Sequence, residues 1–160
     1  MEENIGKLRA AVAAKNELDP QFVICARTDS LGSEGGSFED AVQRCIAYAN
    51  DGGADLVWLN SIRTLDQVEE AARRSPVPLL CSWGGPRPTP SLEEFQRRGL
   101  RIVLHPTIAA SAGMQAAWQL LTDMRTRGSQ AVDDWSAAVS KHPAGRADLK
   151  EIFNANKIRE

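Results

Sequence analysis

The chain has 160 residues, 42% hydrophobic and 25% charged, with 19 Lys and Arg against 21 Asp and Glu. This composition suits one soluble globular domain with a real core, and a net charge of −2 with scattered basic residues gives no field that would favour nucleic acid. No apolar run approaches the roughly 20 residues of a membrane span, and the acidic, polar Met1-Glu2-Glu3-Asn4 start does not read as a signal peptide.

Residues 5–15 are Ala-rich, with apolar residues at Ile5, Leu8, Val12 and Ala13. They predict a helix that stops near Asp19-Pro20. Residues 21–26 are a short apolar run with β-branched members, read as a buried strand that ends in Arg27-Thr28-Asp29. Residues 30–36 (SLGSEGG) read as a flexible loop. Ser37 is placed as an N-cap, with Glu39 and Asp40 in the first turn of a helix through Asn50. Gly52-Gly53 ends that helix.

The pattern then repeats. Residues 54–59 (ADLVWL) predict a strand, 60–63 a loop, and Thr64 with Gln67 a capping box opening a helix to Arg74, broken by Pro76. Residues 77–81 predict a third strand and 82–90 (SWGGPRPTP) a loop. Ser91 and Glu94 form a second capping box, opening a helix to Arg98, with Gly99 as its C′ stop. Residues 101–104 predict a fourth strand, and 108–126 a long helix ended by Gly128. Residues 129–160 predict a C-terminal helical extension of one or two short helices, amphipathic over 135–139, with a polar end that frays.

Strands alternating with helices at short intervals imply an α/β fold with a parallel sheet and right-handed crossovers. About four βα units over residues 1–128 make either a small open sheet or half of an eight-stranded (β/α) barrel. Only one helical stretch precedes the 22–30 segment, so the chain reads as a barrel that starts in its middle. The unusual polar residues Arg27, Asp29, Asn60, Ser82, Arg87 and His105 all follow strands, while the loops after helices are bland. That asymmetry puts a site at the C-terminal ends of the strands. Cys25, Cys45 and Cys81 are an odd, widely spaced set in or beside apolar segments, expected to be reduced core thiols of a cytoplasmic protein rather than disulfides or a metal knuckle.

Several segments resemble the isocitrate lyase / phosphoenolpyruvate mutase superfamily. They are the Ile5 to Ala14 helix, Phe22-Val-Ile-Cys-Ala-Arg-Thr-Asp29, Ala41 to Asp55 with its Tyr48-Ala-x-x-Gly-Gly-Ala-Asp55 ending, Leu56-Val-Trp-Leu59, and Gly99 to Pro106 with the helix after it. Roughly residues 5–128 are covered. The resemblance implies the second half of a (β/α)₈ barrel. It also implies Mg²⁺-dependent chemistry in which C–C bonds of 2-hydroxy- or 2-oxo-dicarboxylates are cleaved through an enolate. A divalent cation stabilises the developing oxyanion by several kcal/mol.

Two departures qualify that expectation. The family's Mg²⁺-binding acidic residues and mobile catalytic loop belong to the first half of the barrel, so no metal ligand is expected in this chain. Asn60 stands where family lyases usually carry a Glu, and Ser82-Trp83-Gly84-Gly85 where many relatives place an Asn-containing loop.

The resemblance makes Arg27 the substrate-anchoring arginine, able to grip a carboxylate or phosphonate in bidentate fashion. The alternative is an Arg27–Asp29 ion pair that fixes the strand end. Asn60 and Ser82 are expected to orient the substrate, with Asp29 and His105 as supporting residues. The alternatives are that Asn60 turns the chain, and that His105 is a strand-end or core histidine. Gly84-Gly85 with Arg87 has the composition of an anion cradle, but also of a rigid Pro-rich loop. Cys25 alternates with Arg27 and so faces the same way. Trp58 is expected on the face of Asn60, narrowing the cavity. Trp58, Trp83, Trp118 and Trp135 are all expected in packing. Family members exchange C-terminal helices between subunits, which would put Trp118 and Trp135 at an oligomer contact.

Three readings follow. The first is a Mg²⁺-dependent lyase whose barrel is completed by self-association or by a complementary half-barrel chain. The second is a non-catalytic carboxylate-binding or assembly module. The third is a fragment of a full-length lyase. None involves nucleic acid or a membrane.

Overall fold

Side-chain caps open three helices of this chain in the computed structural model, which describes residues 1–142. Two units divide at residue 106. The first contains α1 (Glu2–Leu18), β1 (Cys25–Thr28), a 3₁₀ turn (Ser30–Gly32), α2 (Phe38–Asn50), β2 (Leu56–Leu59), α3 (Leu65–Arg74), β3 (Leu79–Ser82), α4 (Leu92–Arg97) and β4 (Ile102–Leu104). The second contains α5 (Ile108–Arg127) and α6 (Ser129–Val139). The expectations for the chain beyond residue 142 lie outside the described residues.

Ser37 Oγ accepts from the backbone N–H of Asp40, 3.0 Å away, and opens α2. Ser91 and Glu94 make the complete reciprocal capping box of α4. The box expected at Thr64 is only half formed. Thr64 accepts from Gln67 N–H, but the Gln67 side chain reaches back to the N–H of Arg63, one residue earlier than a capping box requires. At the far end of α4, Gly99 has φ +84°, its N–H donates to Gln96 O, and Leu100 N–H donates to Phe95 O. This is the paired termination that a left-handed C′ glycine provides.

The four strands are parallel and lie in the order β1-β2-β3-β4, with Arg27 beside Trp58, Trp58 beside Leu80, and Ser82 beside Leu104. Successive side chains alternate between the two faces. Ala26, Thr28, Val57, Leu59, Leu79 and Cys81 face the helices and are buried with Val42, Cys45 and Tyr48 of α2, Val68 of α3 and Phe95 of α4. Burying each of the larger apolar side chains contributes about 1.5–3 kcal/mol. The opposite face carries Cys25, Arg27, Leu56, Trp58, Ser82 and Ile102. This is the arrangement of half an eight-stranded barrel, with helices outside and the lumenal face inside.

The strands sit later in the sequence than their apolar runs suggest. β1 starts at Cys25 rather than residue 21, because its neighbour β2 offers no partner before the Asp55–Leu56 pair, whose N–H groups both donate to Ile24 O. Phe22 and Val23 therefore stay outside the ladder and exposed. β1 and β3 instead extend into Arg27-Thr28 and Ser82, so these polar residues are strand residues. Cys25 is exposed, contrary to its expected place in the core. It has the parity of Arg27, and the helices cover the other parity. Cys45 and Cys81 are buried as expected. The 30–36 segment expected to be a flexible loop contains the 3₁₀ turn. Its start is tied by Ser30 N–H to Thr28 Oγ1 and by the Ser30 hydroxyl to the Asp40 carboxylate.

α1 lies against α2, with Asn4 Nδ2 donating to the Tyr48 hydroxyl and Arg9 to the carbonyl of Asp51. No helix among the described residues is long and apolar enough to cross a membrane.

Candidate functional site

The C-terminal ends of β1, β2 and β3 bring four of the five expected site residues into one hydrogen-bonded chain. Arg27 clasps Asp29 with Nε and Nη2, at 2.7 to 3.1 Å. Asn60 Nδ2 donates to the same Asp29 carboxylate at 2.6 Å. Ser82 donates its hydroxyl proton to Asn60 Oδ1 at 2.9 Å. Backbone bonds register the three ends, because Asn60 N–H donates to Thr28 O and Thr28 itself is buried. His105 follows β4 and is exposed. No described hydrogen bond joins it to this chain of residues.

Asp29 settles the orientation of everything else. Its hydrogen bonds with Arg27, and then with Asn60, hold its carboxyl below the usual range, so it stays charged at neutral pH. A charged Asp29 fixes the Asn60 amide with nitrogen towards Asp29 and oxygen towards Ser82. The Arg27–Asp29 pair is about half exposed on both sides, so it contributes at most about 1 kcal/mol to stability. Its main effect is to aim the guanidinium. Arg27 Nη1 has no partner among the described residues, and the Nη1–Nη2 edge is the one that grips a planar oxyanion in bidentate fashion. The ion pair and the anion grip are therefore compatible, since they use different edges of one guanidinium.

The guanidinium also lies 4.1 Å over the Trp58 ring. Trp58 was expected near Asn60 from strand parity alone. Its stacking on Arg27 depends on the β1–β2 register, which period-two alternation does not reveal. Arg27 further borders a polar cavity of about 430 Å³ whose wall includes Ser30, Asp40, Arg44 and Tyr48. Arg44 was missed in the sequence. The available signal was its i,i+4 spacing from Asp40, which it holds at 2.8 Å.

The Gly84-Gly85 segment is a packed turn. A side chain at Gly85 would meet Arg63 O at 2.2 Å and the Trp83 ring at 2.3 Å. Arg87 donates to Thr89 Oγ1. Trp83 packs edge-on against Phe95, as expected of a packing residue. In the second unit Trp118 and Trp135 are exposed, contrary to the packing expected of them.

The donor set here does not fit a bound Mg²⁺. Among the described residues no three His, Cys, Asp or Glu side chains converge. Asp29, the one carboxylate in the strand-end cluster, is already shared by Arg27 and Asn60. Mg²⁺ requires oxygen ligands in near-octahedral array.

Residues 1–125 match the phosphoenolpyruvate phosphomutase family model. The chain belongs to this family. It is 33% identical over 131 residues to the 2-methylisocitrate lyase of Aeropyrum pernix, covering 81% of this chain and 40% of that one. To the enzyme of the same name from Salmonella typhimurium it is 36% identical, covering 81% and 43%. Among solved structures, oxaloacetate acetylhydrolase in complex with oxalate superposes with a TM-score of 0.70 at 28% identity, over 98% of this chain and 53% of that one. Phosphonopyruvate hydrolase in complex with oxalate and Mg²⁺ gives 0.67 at 25% identity, over 99% and 52%. The chain thus spans about half the length of the family members it matches.

Proposed function

We propose that the strand-end cluster is the carboxylate-binding part of a carbon–carbon lyase site acting on a 2-hydroxy- or 2-oxo-dicarboxylate in the cytoplasm. The observation that carries this reading is Arg27 at the C-terminal ends of parallel strands, its Nε side held by Asp29 and its Nη1 without a partner among the described residues. Arg27 would hold a substrate carboxylate. Asn60, whose second Nδ2 proton is uncommitted in this geometry, would donate to a neighbouring substrate oxygen. Ser82 would keep the Asn60 amide from flipping. The names of the relatives, lyases and hydrolases of small carboxylates and phosphonates, support this substrate class.

In this proposal the lumenal face is closed by four further strands, supplied by a longer chain, a second copy or a complementary half-barrel. Those strands bring the acidic residues that hold Mg²⁺, the cation that would stabilise the enolate when bound. The residues of this chain bind and orient the substrate, and no proton transfer is assigned to them.

The test is calorimetric titration with oxalate, a planar mimic of the pyruvate enolate. The isolated chain is expected to bind oxalate without dependence on Mg²⁺, and Arg27→Ala to weaken binding by at least about tenfold. Unchanged binding by Arg27→Ala would overturn the assignment.

A further inference from the structure

The opposite end of the sheet carries a second concentration of arginines, remote from the strand-end cluster. The segments leading into β3 and β4, together with the last turns of α3 and α4, line an open cavity of about 480 Å³. Four arginines line it, Arg73, Arg97, Arg98 and Arg101, with a single acidic residue, Glu69. Leu79 lines this cavity and Ser82 belongs to the strand-end cluster. They are the two ends of β3, about 10 Å apart at a rise of ~3.3 Å per residue.

The four cations are not equivalent. Arg73 is neutralised by Glu70 through three hydrogen bonds, at 2.7 to 3.1 Å. Arg98 is bound to Glu69 and lies 3.5 Å from Asp66. Arg97 feels Glu93, one turn earlier on its own helix, but forms no ion pair among the described residues. The Arg101 guanidinium has no partner among the described residues, while its backbone is fixed by Arg101 N–H donating to Leu79 O. A basic residue in a last helical turn is ordinarily explained by the partial negative charge there. That accounts for Arg97 but not for Arg101, which lies outside any helix.

The wall behind these cations is stiff. Pro76 and Pro78 flank Val77, whose carbonyl accepts from the Ser75 hydroxyl at 2.6 Å. Gly99 holds a left-handed turn two residues before Arg101, and a side chain there would meet Ala72 Cβ at 3.1 Å. The site is therefore lined by two arginines without an ion pair among the described residues, Arg97 and Arg101, on an ordered backbone, beside Arg98, which is held by Glu69.

We propose that this cavity binds a small phosphate-bearing anion, held by Arg97 and Arg101. Two cations without an ion-pair partner among the described residues match the two or more charges of a phosphoryl group, and the guanidinium fork matches its oxygens. The site is independent of the carboxylate site, since the two share no residue.

The experiment is calorimetric titration of the full chain with pyrophosphate in about 150 mM salt, where the screening length is about 8 Å and distant surface charges drop out. Saturable binding at one site per chain is expected. Arg97→Ala/Arg101→Ala should weaken it by at least about tenfold, and Arg27→Ala should leave it within about twofold. Arg97 and Arg101 are exposed, so the double variant should retain the native far-ultraviolet dichroism. Arg101→Glu alone, which reverses one charge, should weaken binding further than Arg101→Ala. Absence of saturable binding, unchanged affinity in the double variant, or loss of binding in Arg27→Ala would each overturn the proposal. The first two outcomes leave the oxalate test at Arg27 untouched, while the third would place pyrophosphate in the Arg27 site instead.

Discussion

Arg27 and Trp58 are register partners on adjacent strands, and the guanidinium of one lies 4.1 Å over the ring of the other. With Asp29 fixing its Nε side, the planar group is held in two directions, and only rotation out of the stack would disturb its free edge. A stacked cation at a partly exposed site gains about 0.5–1 kcal/mol. Trp58→Leu should therefore lower stability by about that much in urea denaturation and weaken oxalate binding about two- to fivefold. Arg27→Lys keeps the charge but loses both the fork and the stack. It should bind oxalate about tenfold more weakly than the wild type while unfolding at nearly the same urea concentration. Calorimetry of both variants checks this. Equal affinity of Arg27→Lys and wild type would show that only charge is recognised.

Asn60 is both donor and acceptor, giving a proton to Asp29 and taking one from Ser82. Asn60→Asp keeps the shape and the Ser82 contact but sets a second carboxylate against Asp29. Two carboxylates at hydrogen-bond distance cannot both ionise freely, so one apparent pKa of the pair rises well above the usual carboxylate range. At neutral pH the variant should bind oxalate at least about tenfold more weakly than the wild type. Affinity should recover towards pH 5 as the pair takes up a proton. Wild-type binding should stay flat over that range, because Asp29 is held low. Titrations at neutral pH and at pH 5 distinguish this from simple loss of a hydrogen bond, which would be independent of pH.

The three cysteines differ by strand parity and helix face. Burial pushes the thiols of Cys45 and Cys81 up to about 12. Partial burial raises that of Cys25 less, and its side chain is exposed. Since the thiolate is the reactive form, Ellman's reagent at pH 8 should label one thiol per native chain, and all three after denaturation. Cys25→Ser should abolish the native signal. Three fast thiols in the native protein would mean that the helices do not cover the Cys45 and Cys81 side of the sheet.

The starts of α2, α3 and α4 are readable in the sequence because Ser37, Thr64 and Ser91 open them with hydroxyls that act locally. The strands were less legible. Phe22 and Val23 are as apolar as any strand residue, yet a strand exists only where a neighbour offers hydrogen bonds, and β2 begins opposite Cys25. The same limit applies at the site. Arg27, Asn60 and Ser82 could be singled out as polar residues at the ends of apolar runs. That Asp29 would serve Arg27 and Asn60 together, and that Trp58 would lie under Arg27, depends on register across strands 31 residues apart in sequence. The Arg97-Arg98-Gly99-Leu100-Arg101 run was the available signal for the second cluster, but its meeting with Arg73 and Glu69 of α3 depends on how the two helix ends pack.

Asp55 ties α1 to the start of the sheet. Its carboxylate accepts from Ile24 N–H at 2.7 Å and from Lys15 Nζ at 2.7 Å. These bonds, the Ile24 N–H first and Lys15 second, hold the carboxyl below its ordinary value of 3.8. A group with a depressed folded pKa contributes stability that is fully present above its unfolded value. That contribution is lost as pH falls through the folded one. The wild type should thus owe to Asp55 a stabilisation that is constant from neutrality down to about pH 4.5 and declines below about pH 4. Asp55→Asn removes the charge but keeps one acceptor oxygen. With the side chain more than a third exposed, its cost at neutral pH should be about 1 kcal/mol. Urea midpoints measured at pH 7 and pH 3 for both proteins check the sign, since the gap between them should be present at pH 7 and shrink at pH 3. A gap that is the same at both values would mean that Asp55 acts through shape alone.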